Sequence, residues 1–338
     1  MGVGVRRTAW NIACSFAALL FASGIARAAD VLRIATVKST TLGGIYVALD
    51  KGYFKDAGID IEFAPLDSPG LVPPAVVSGS ADIGSTGVSA QLYALAAQGA
   101  IKIFAGQARE HSSFQVNAFI LSNAASAAGL DSLDKLAGHS IAISLIGSPV
   151  HYAAAQVALK HHVALNDIRF LALQANGNIV SAVAGGTADT GVVPGTIMAP
   201  ALAKGDLKLL AWIGDQLQWQ SSALIAAPKM LSERGDAVKR FLTALRRGLH
   251  DFHDAFTAAN GTRHDGPGAK EALAIMAKYL DQKPEQLNLA IPWVDPDARL
   301  DFADMKRQLD WFEEQNMLKG KVTLDQVIDK RFAEDVKR

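Results

Sequence analysis

Cysteine is almost missing from this chain: the 338 residues contain one, Cys14. It lies in a stretch with the features of a secretory leader. Arg6 and Arg7 come first, then an apolar run over 12–25, then the small-x-small triplet Ala26, Arg27 and Ala28. Residues 1–28 are expected to be a cleaved signal peptide. The 310 residues left of the 338 would then hold no cysteine. That excludes a disulfide frame, a thiolate zinc site, an iron–sulfur cluster and a cysteine nucleophile. Cys14 stands too early for a lipoprotein anchor. The arginine pair leaves twin-arginine export open beside the general secretory route.

An excess of either charge is missing too. The leader carries three of the 33 basic residues and none of the 33 acidic ones, so the remainder is −3. Nothing in that balance points to nucleic acid or to an anionic membrane surface. No later run is long and apolar enough to cross a membrane, and the leader run falls short of the roughly 20 residues a span needs. The expected product is soluble, exported to the periplasm and monomeric.

Enzyme signatures are lacking as well. There is no Walker A loop, no Gly-x-Gly-x-x-Gly, no Gly-x-Ser-x-Gly elbow and no His-Glu-x-x-His. No catalytic residue, cofactor or metal is expected. His250, His253 and Asp254 share one helix face at metal-ligand spacing, but the run around them reads better as a solvated face. Ser148 and His151 could act as nucleophile and base, yet nothing identifiable orients the histidine.

What is present is a repeated turn. Gly79, Ser80, Ala81, Asp82 and Gly84 return as Gly186, Thr187, Ala188, Asp189 and Gly191. A helix-like run precedes each copy and another follows, which suggests two similarly built α/β lobes. The chain between fits that. Apolar β-branched runs at 31–37, 59–64, 81–85, 102–106 and 118–122 alternate with helical spacings. Residues 123–129 are small and polar, a linker candidate. The pattern then restarts, with strands at 140–144, 169–173, 188–193, 208–213 and 223–227. Charged amphipathic helices follow at 236–259, 269–279, 302–316 and 324–333, and are expected to pack on the first lobe. Alternation of this kind gives mostly parallel sheets covered by helices.

Three strand-to-helix junctions carry hydroxyls at helix starts: 38–41, 85–87 and 147–148. Each suits plain capping, and each suits an anionic ligand at a positive helix end. Open α/β sheets bind ligands at the carboxyl ends of their strands. Lys38 and Arg109 stand near such ends and could pair with a carboxylate or sulfonate. His151 falls on the first turn after Ser148. Asn176 and Asn178 end another strand and could donate amide hydrogen bonds or simply form a turn.

The step Lys51, Gly52, Tyr53, Phe54, followed by Ala57, Gly58, Ile59 and Asp60, resembles the solute-binding proteins of the nitrate/sulfonate/taurine ABC importers. That family includes thiamine-pyrimidine binders. Further matches lie at 78–87, at 133–138 before 141–143, at 147–151 and at 185–194, within about 31–215. The resemblance implies a two-lobed α/β periplasmic-binding-protein fold of type II, with mostly parallel sheets and crossing strands at 118–122 and 223–227. Lobe 1 would take 29–122, lobe 2 123–217, and 218–338 would return to lobe 1. By position the resemblance places Ser39, Thr40, Thr41, Ser85, Thr86, Gly87, Gly147, Ser148 and His151 in the cleft. One departure matters: Val193 stands where family members often carry an aromatic before the proline, so shape selection by Val193 replaces stacking there. Trp212 and Trp219 could form an aromatic wall, although a core or hinge role is favoured.

The expected function is capture of a small, anionic organic solute, a sulfonate or carboxylate, for an ABC permease and its ATPase. Two other readings stand beside it. One is an enzyme on the same scaffold, pyrimidine-forming or dehydratase-like. The other is an exported ligand sensor.

Overall fold

A computed structural model of the protein describes Met1 and residues 29–336. Apart from Met1, the expected leader lies outside the described residues. The first lobe starts with β1 (Asp30–Thr36), α1 (Gly43–Asp50), α2 (Tyr53–Asp56) and β2 (Ile59–Pro65). It continues with α3 (Val72–Val77), β3 (Ile83–Gly87), α4 (Ala90–Ala97) and β4 (Lys102–Gly106). A short strand, β5 (Ala108–Glu110), leads to the second lobe: β6 (Asn117–Ser122), α5 (Asn123–Ala127), β7 (Ser140–Ile143), α6 (Pro149–Lys160), β8 (Arg169–Ala172), α7 (Asn176–Ala184), β9 (Thr190–Pro194), α8 (Gly195–Lys204) and β10 (Leu207–Trp212). The chain returns through β11 (Trp219–Gln220) and β12 (Ser222–Ala226). It ends in α9 (Pro228–Glu233), α10 (Gly235–Phe256), α11 (Ala269–Leu280), α12 (Pro284–Leu287), β13 (Trp293–Val294), α13 (Phe302–Glu314) and α14 (Leu324–Val327).

The two large sheets have one plan. The first has the order β2-β1-β3-β12-β4 and the second, read from its far edge, β8-β7-β9-β6-β10. In each, three neighbouring strands pair in parallel. The fourth strand, β12 or β6, has come over from the other half of the chain and runs antiparallel to both neighbours. The expected crossing strands are these two. The passage itself happens one step earlier, in the small sheet β11-β5-β13, where Trp219 pairs with Glu110 and Gln220 with Arg109.

The repeated turn has a structural cause. Arg33 N–H donates to Asp82 Oδ2 at 2.8 Å, and Ser140 N–H donates to Asp189 Oδ2 at the same 2.8 Å. Both pairs span 49 positions. Each aspartate thus takes an N–H of the neighbouring strand just before parallel pairing begins, β1 with β3 and β7 with β9. A charge-assisted bond of this kind is stronger than a neutral one. Ser140 adds its hydroxyl to Asp189 at 2.8 Å. Burial raises the Asp189 pKa, but the Ser140 hydrogen bonds and the neighbouring His139 together outweigh that and hold its carboxyl below the usual range. Asp189→Ala is expected to cost about 2 kcal/mol, read as a lower urea midpoint at unchanged slope. A variant as stable as the parent would refute this role.

Several elements differ from the sequence reading. Ser85, Thr86 and Gly87 close β3 and do not start a helix; α4 begins later, capped by Ser89, whose hydroxyl takes Leu92 N–H at 3.2 Å. The linker candidate 123–129 is mostly helix α5, because Ser122 caps it and alanine favours the helix. That helix follows a strand already inside the second sheet. The last helix covers only four of the expected positions.

The carboxyl-terminal helices divide between two tasks. α10 and α11 pack on α1 in the core of lobe 1. α13 touches both lobes. Its Phe312 ring lies 6.0 Å from Tyr93 of α4 and 5.9 Å from Tyr152 of α6. One hydrophobic cluster therefore runs from lobe 1 through α13 into lobe 2.

Candidate functional site

The lobe 1 wall is built at the carboxyl ends of β1, β3 and β4. Past β1, Ser39 caps a turn of 3-10 helix (Thr40–Leu42), and its hydroxyl accepts Thr41 N–H at 3.2 Å. Thr41 also donates its hydroxyl to Ser39 at 3.1 Å. Thr40 is buried and Lys38 is exposed. Gln107, directly after β4, ties these parts together. Its Nε2 donates to Thr41 O at 3.1 Å and its Oε1 accepts the Ser85 hydroxyl at 2.7 Å. Thr86 donates to Pro69 O at 3.3 Å.

The lobe 2 wall meets it directly. Ser148 caps α6 and accepts His151 N–H at 3.3 Å, while Pro149 fills the first helical position, where its missing N–H costs nothing. Gly147 has φ +78°, which favours glycine. Its carbonyl accepts Ala90 N–H of α4 at 3.0 Å, across the lobes. Gly87 faces Pro149 so closely that a Cβ there would lie 2.5 Å from the ring. The ends of β3 and β7 thus stand against each other.

His151 sits behind this wall, not on it. It is 5% exposed, between Phe170 at 4.6 Å and Trp311 at 5.3 Å. Burial pushes its pKa down to about 4, so the ring is neutral at pH 7. Its Nδ1 accepts Gly147 N–H at 3.1 Å, which puts the ring proton on Nε2. The histidine therefore shapes the Gly147 turn. Asn178 closes its own turn on Leu173 O at 3.0 Å, and Asn176 opens α7, exposed. Val193 is wholly buried with Ala118, Ile120 and Met198 inside lobe 2. Strand alternation turns it toward the helices. The exposed apolar side chain beyond it is Ile197.

Arg109 lies in the crossing sheet. Its guanidinium bonds Asp301 at 2.7 Å and stacks over Trp293 at 5.1 Å. Trp219, fully buried, packs against Tyr152 at 5.8 Å, a hinge position. Trp212 is partly buried beside Gly195. Below Arg109, α13 grips β11. Asp304 accepts Gln220 N–H at 2.7 Å and Gln308 Nε2 at 2.8 Å, and Gln308 Nε2 also donates to Gln220 O at 2.9 Å. Burial holds the Asp304 carboxyl above its usual range against these bonds.

The histidine cluster on α10 does not converge. His250 pairs with Asp297 at 3.1 Å and His253 with Asp254 at 3.2 Å. Among the described residues no three His, Cys, Asp or Glu groups are placed to hold a metal ion. A surface hollow of about 490 Å³ beside His250 is lined by Tyr53, Arg247 and Asp251. Its groups bond one another or neighbours: Tyr53 to Asp251 at 2.7 Å, Arg247 to Asp56 at 3.1 Å. It lies away from the strand ends.

Sequence reasoning found the capping Ser148 and the hydroxyls of β3; at the first junction it pointed to Thr40 or Thr41 as the cap, where Ser39 serves. It missed Gln107 and the Asp301, Asp304, Gln308 group. A polar residue directly after an apolar strand was the one signal for Gln107.

With this geometry in place, residues 39–256 match the NMT1/THI5-like family. The chain belongs to that family. Among curated proteins there is no sequence match. Solved structures resemble the NMT1/THI5-like chain in fold. The periplasmic aliphatic sulphonate binding protein SsuA of Escherichia coli shares 19% identity at TM-score 0.68, covering 91% of this chain and 95% of that one. The periplasmic nitrate-binding protein NrtA of Synechocystis shares 13% at TM-score 0.66, covering 90% and 87%. DszB in complex with biphenyl-2-sulfinic acid shares 14% at TM-score 0.61, covering 90% and 97%. The likeness to each of the three is one of fold. No helix among the described residues is long and apolar enough to cross a membrane.

Proposed function

We propose that the protein is the solute-binding component of an ABC importer. It is exported to the periplasm, loses 1–28, and as a monomer carries a small organic solute to a permease and its ATPase. The carrying observation is the meeting of two strand-end walls, at Ala90 with Gly147 and Gly87 with Pro149, on lobes joined by a crossing sheet. Hinge closure around a ligand is a standard use of such a joint. The site residues of this reading are Ser39, Thr41, Ser85, Thr86, Gly87, Gly147 and Ser148, with Gln107 added.

The expectation of an anionic solute now leans on Lys38, because Arg109 is engaged by Asp301. An enzyme on this scaffold, pyrimidine-forming or dehydratase-like, is the second reading. Absence of cysteine from 29–338 and of a converged metal set in the described residues favours binding over turnover.

A thermal-shift screen of the leader-free protein tests this. Sulfonates, aromatic and aliphatic carboxylates, nitrate and thiamine-pathway pyrimidines would be offered. A solute at 100 times its dissociation constant should add about 2.7 kcal/mol, and Ser85→Ala should remove most of that gain. Chemical conversion of the solute would overturn the binding-only reading. A hit indifferent to Ser85→Ala and Gly87→Val would move the site elsewhere.

A further inference from the structure

One buried side chain is wired to the contact between the lobes. His151 Nδ1 accepts Gly147 N–H at 3.1 Å, and the carbonyl of that same glycine accepts Ala90 N–H of α4 at 3.0 Å. Through a single residue the imidazole holds the point where lobe 2 bonds lobe 1. The acceptor exists only while the ring is neutral. A protonated imidazole is a donor at both nitrogens, and Gly147 N–H would then face another N–H.

The cover over this ring comes from across the cleft. Trp311 of α13 lies 5.3 Å from His151 and 5.5 Å from Tyr152, and Phe312 lies 5.9 Å from Tyr152. Polar bonds tie α13 to the other side. Met305 O accepts the buried Tyr93 hydroxyl of α4 at 3.0 Å, and Asp304 accepts Gln220 N–H of β11 at 2.7 Å. When the lobes part, α13 therefore stays with α4 and the crossing sheet, and α6 carries His151 out from under Trp311. Cover and contact are lost together.

The described elements packed on the ring offer an imidazolium no counter-charge. β8 presents Phe170, and Arg169 beside it is exposed. α13 presents Trp311, whose buried Nε1 has no partner among the described residues and can only donate. Asp304 and Arg307, two turns and one turn before it, pair with each other at 3.0 Å, and Asp310 pairs with Lys306. The titratable neighbour on α6 is Tyr152, which burial holds neutral. Burial alone lowers the His151 pKa to about 4, and a ring released from it returns toward 6.5.

We propose that His151 is the positioning residue of lobe closure, that closing the cleft expels its proton, and that acid opens the cleft. This rests on the hinge motion of the importer reading. The closed form binds fewer protons than the open form between pH 4 and 6.5, so closure is fullest above pH 6.5 and is lost as pH falls toward 4.

The leader-free protein has no cysteine, so Asp67→Cys and Ala175→Cys place two spin labels at exposed positions just past β2 and β8, one on each lobe. Double electron–electron resonance reads their separation from pH 7.5 to 4.5 with no solute present. The ratio of closed to open distances should fall about 10-fold or more, the ceiling being about 70-fold for a ring that regains an ordinary pKa on opening. His151→Asn sets an amide oxygen near the place of Nδ1 and cannot titrate, so its ratio should move less than about 3-fold. Trp311→Ala keeps the histidine and removes its cover, and should leave less than about a third of the parent's response. Circular dichroism at each pH separates opening from unfolding. An unchanged distance across the range, a response kept by both variants, or a lengthening that tracks loss of the circular-dichroism signal overturns the proposal. A distance fixed in pH yet shortened by a solute from the thermal-shift screen would overturn it and leave the importer reading standing. The importer reading falls separately, if that screen yields no solute or a converted one.

Discussion

Gly248→Ala is expected to lower stability by about 3 kcal/mol, although alanine is the better helix former. A Cβ at Gly248 would lie 2.4 Å from Gly44 O and 2.5 Å from Ala48 Cβ. Both atoms belong to α1 and neither can rotate away. α1 answers with two glycines of its own: Gly43 lies under the Phe252 ring and Gly44 under Leu249. The backbones of α1 and α10 thus approach through three glycines, and one added methyl must push a whole helix. The gain in helix propensity is about 1 kcal/mol and is already counted in that net figure. The midpoint of thermal unfolding should fall by roughly 8 °C. Gly177→Ala is the control. It also lies in a helix, with nothing within 4 Å of its would-be Cβ, and should gain a little stability. Equal shifts for the two variants would show that the α1–α10 contact is looser than described. α1 follows the Ser39–Thr41 turn, so solute affinity should fall along with stability.

The fold was legible in the sequence where its causes are local. Strand and helix periods, the capping serine Ser148, and Pro149 all act within a few residues. The repeated aspartate was legible as a pattern because both lobes need an acceptor at the same point, 49 positions past the strand that donates to it. The misses share a different cause. β5, β11 and β13 are two or three residues long, too short to show a period, and they exist because they pair with one another. Ala-rich α5 looked like a linker because small residues serve both purposes.

The site divides in the same way. Hydroxyls at strand ends were visible, but their polarity was not. Ser85 depends on Gln107, 22 positions away, and Gln107 on Thr41, 66 away. Arg109 read as a free cation because its partner Asp301 is 192 positions on. Val193 read as a wall because the motif put it at a strand end, while the face it points to was fixed by α7 and α8 packing over it. Composition and spacing reveal which groups are available. Long-range pairing decides which of them are already used.

Glu110 gives the last large effect, and its sign follows from burial. It sits wholly buried in β5, the strand that carries the chain from one lobe to the other. Burial pushes its carboxyl up from 4.5 to about 8, although the Asn117 side chain and nearby backbone N–H groups pull it down. Between those values the folded protein holds a proton that the unfolded chain has lost. This contribution is full below pH 4.5 and is lost as pH rises toward 8. His151 works the other way. Its pKa falls from 6.5 to about 4, so its contribution is full above pH 6.5 and is lost as pH drops. The two slopes cancel between pH 4.5 and 6.5, and stability should be flat there. Above 6.5 Glu110 acts alone. Glu110→Gln copies the protonated acid and removes the falling limb. At pH 8 the variant should exceed the parent by on the order of 4 kcal/mol, and at pH 4.5 the two should agree. The optimum would then move above pH 6.5. Urea unfolding at half-unit steps from pH 4 to 9 measures this. Parallel curves for parent and variant would mean that Glu110 is ionised in the fold, and the crossing strand would carry a buried charge.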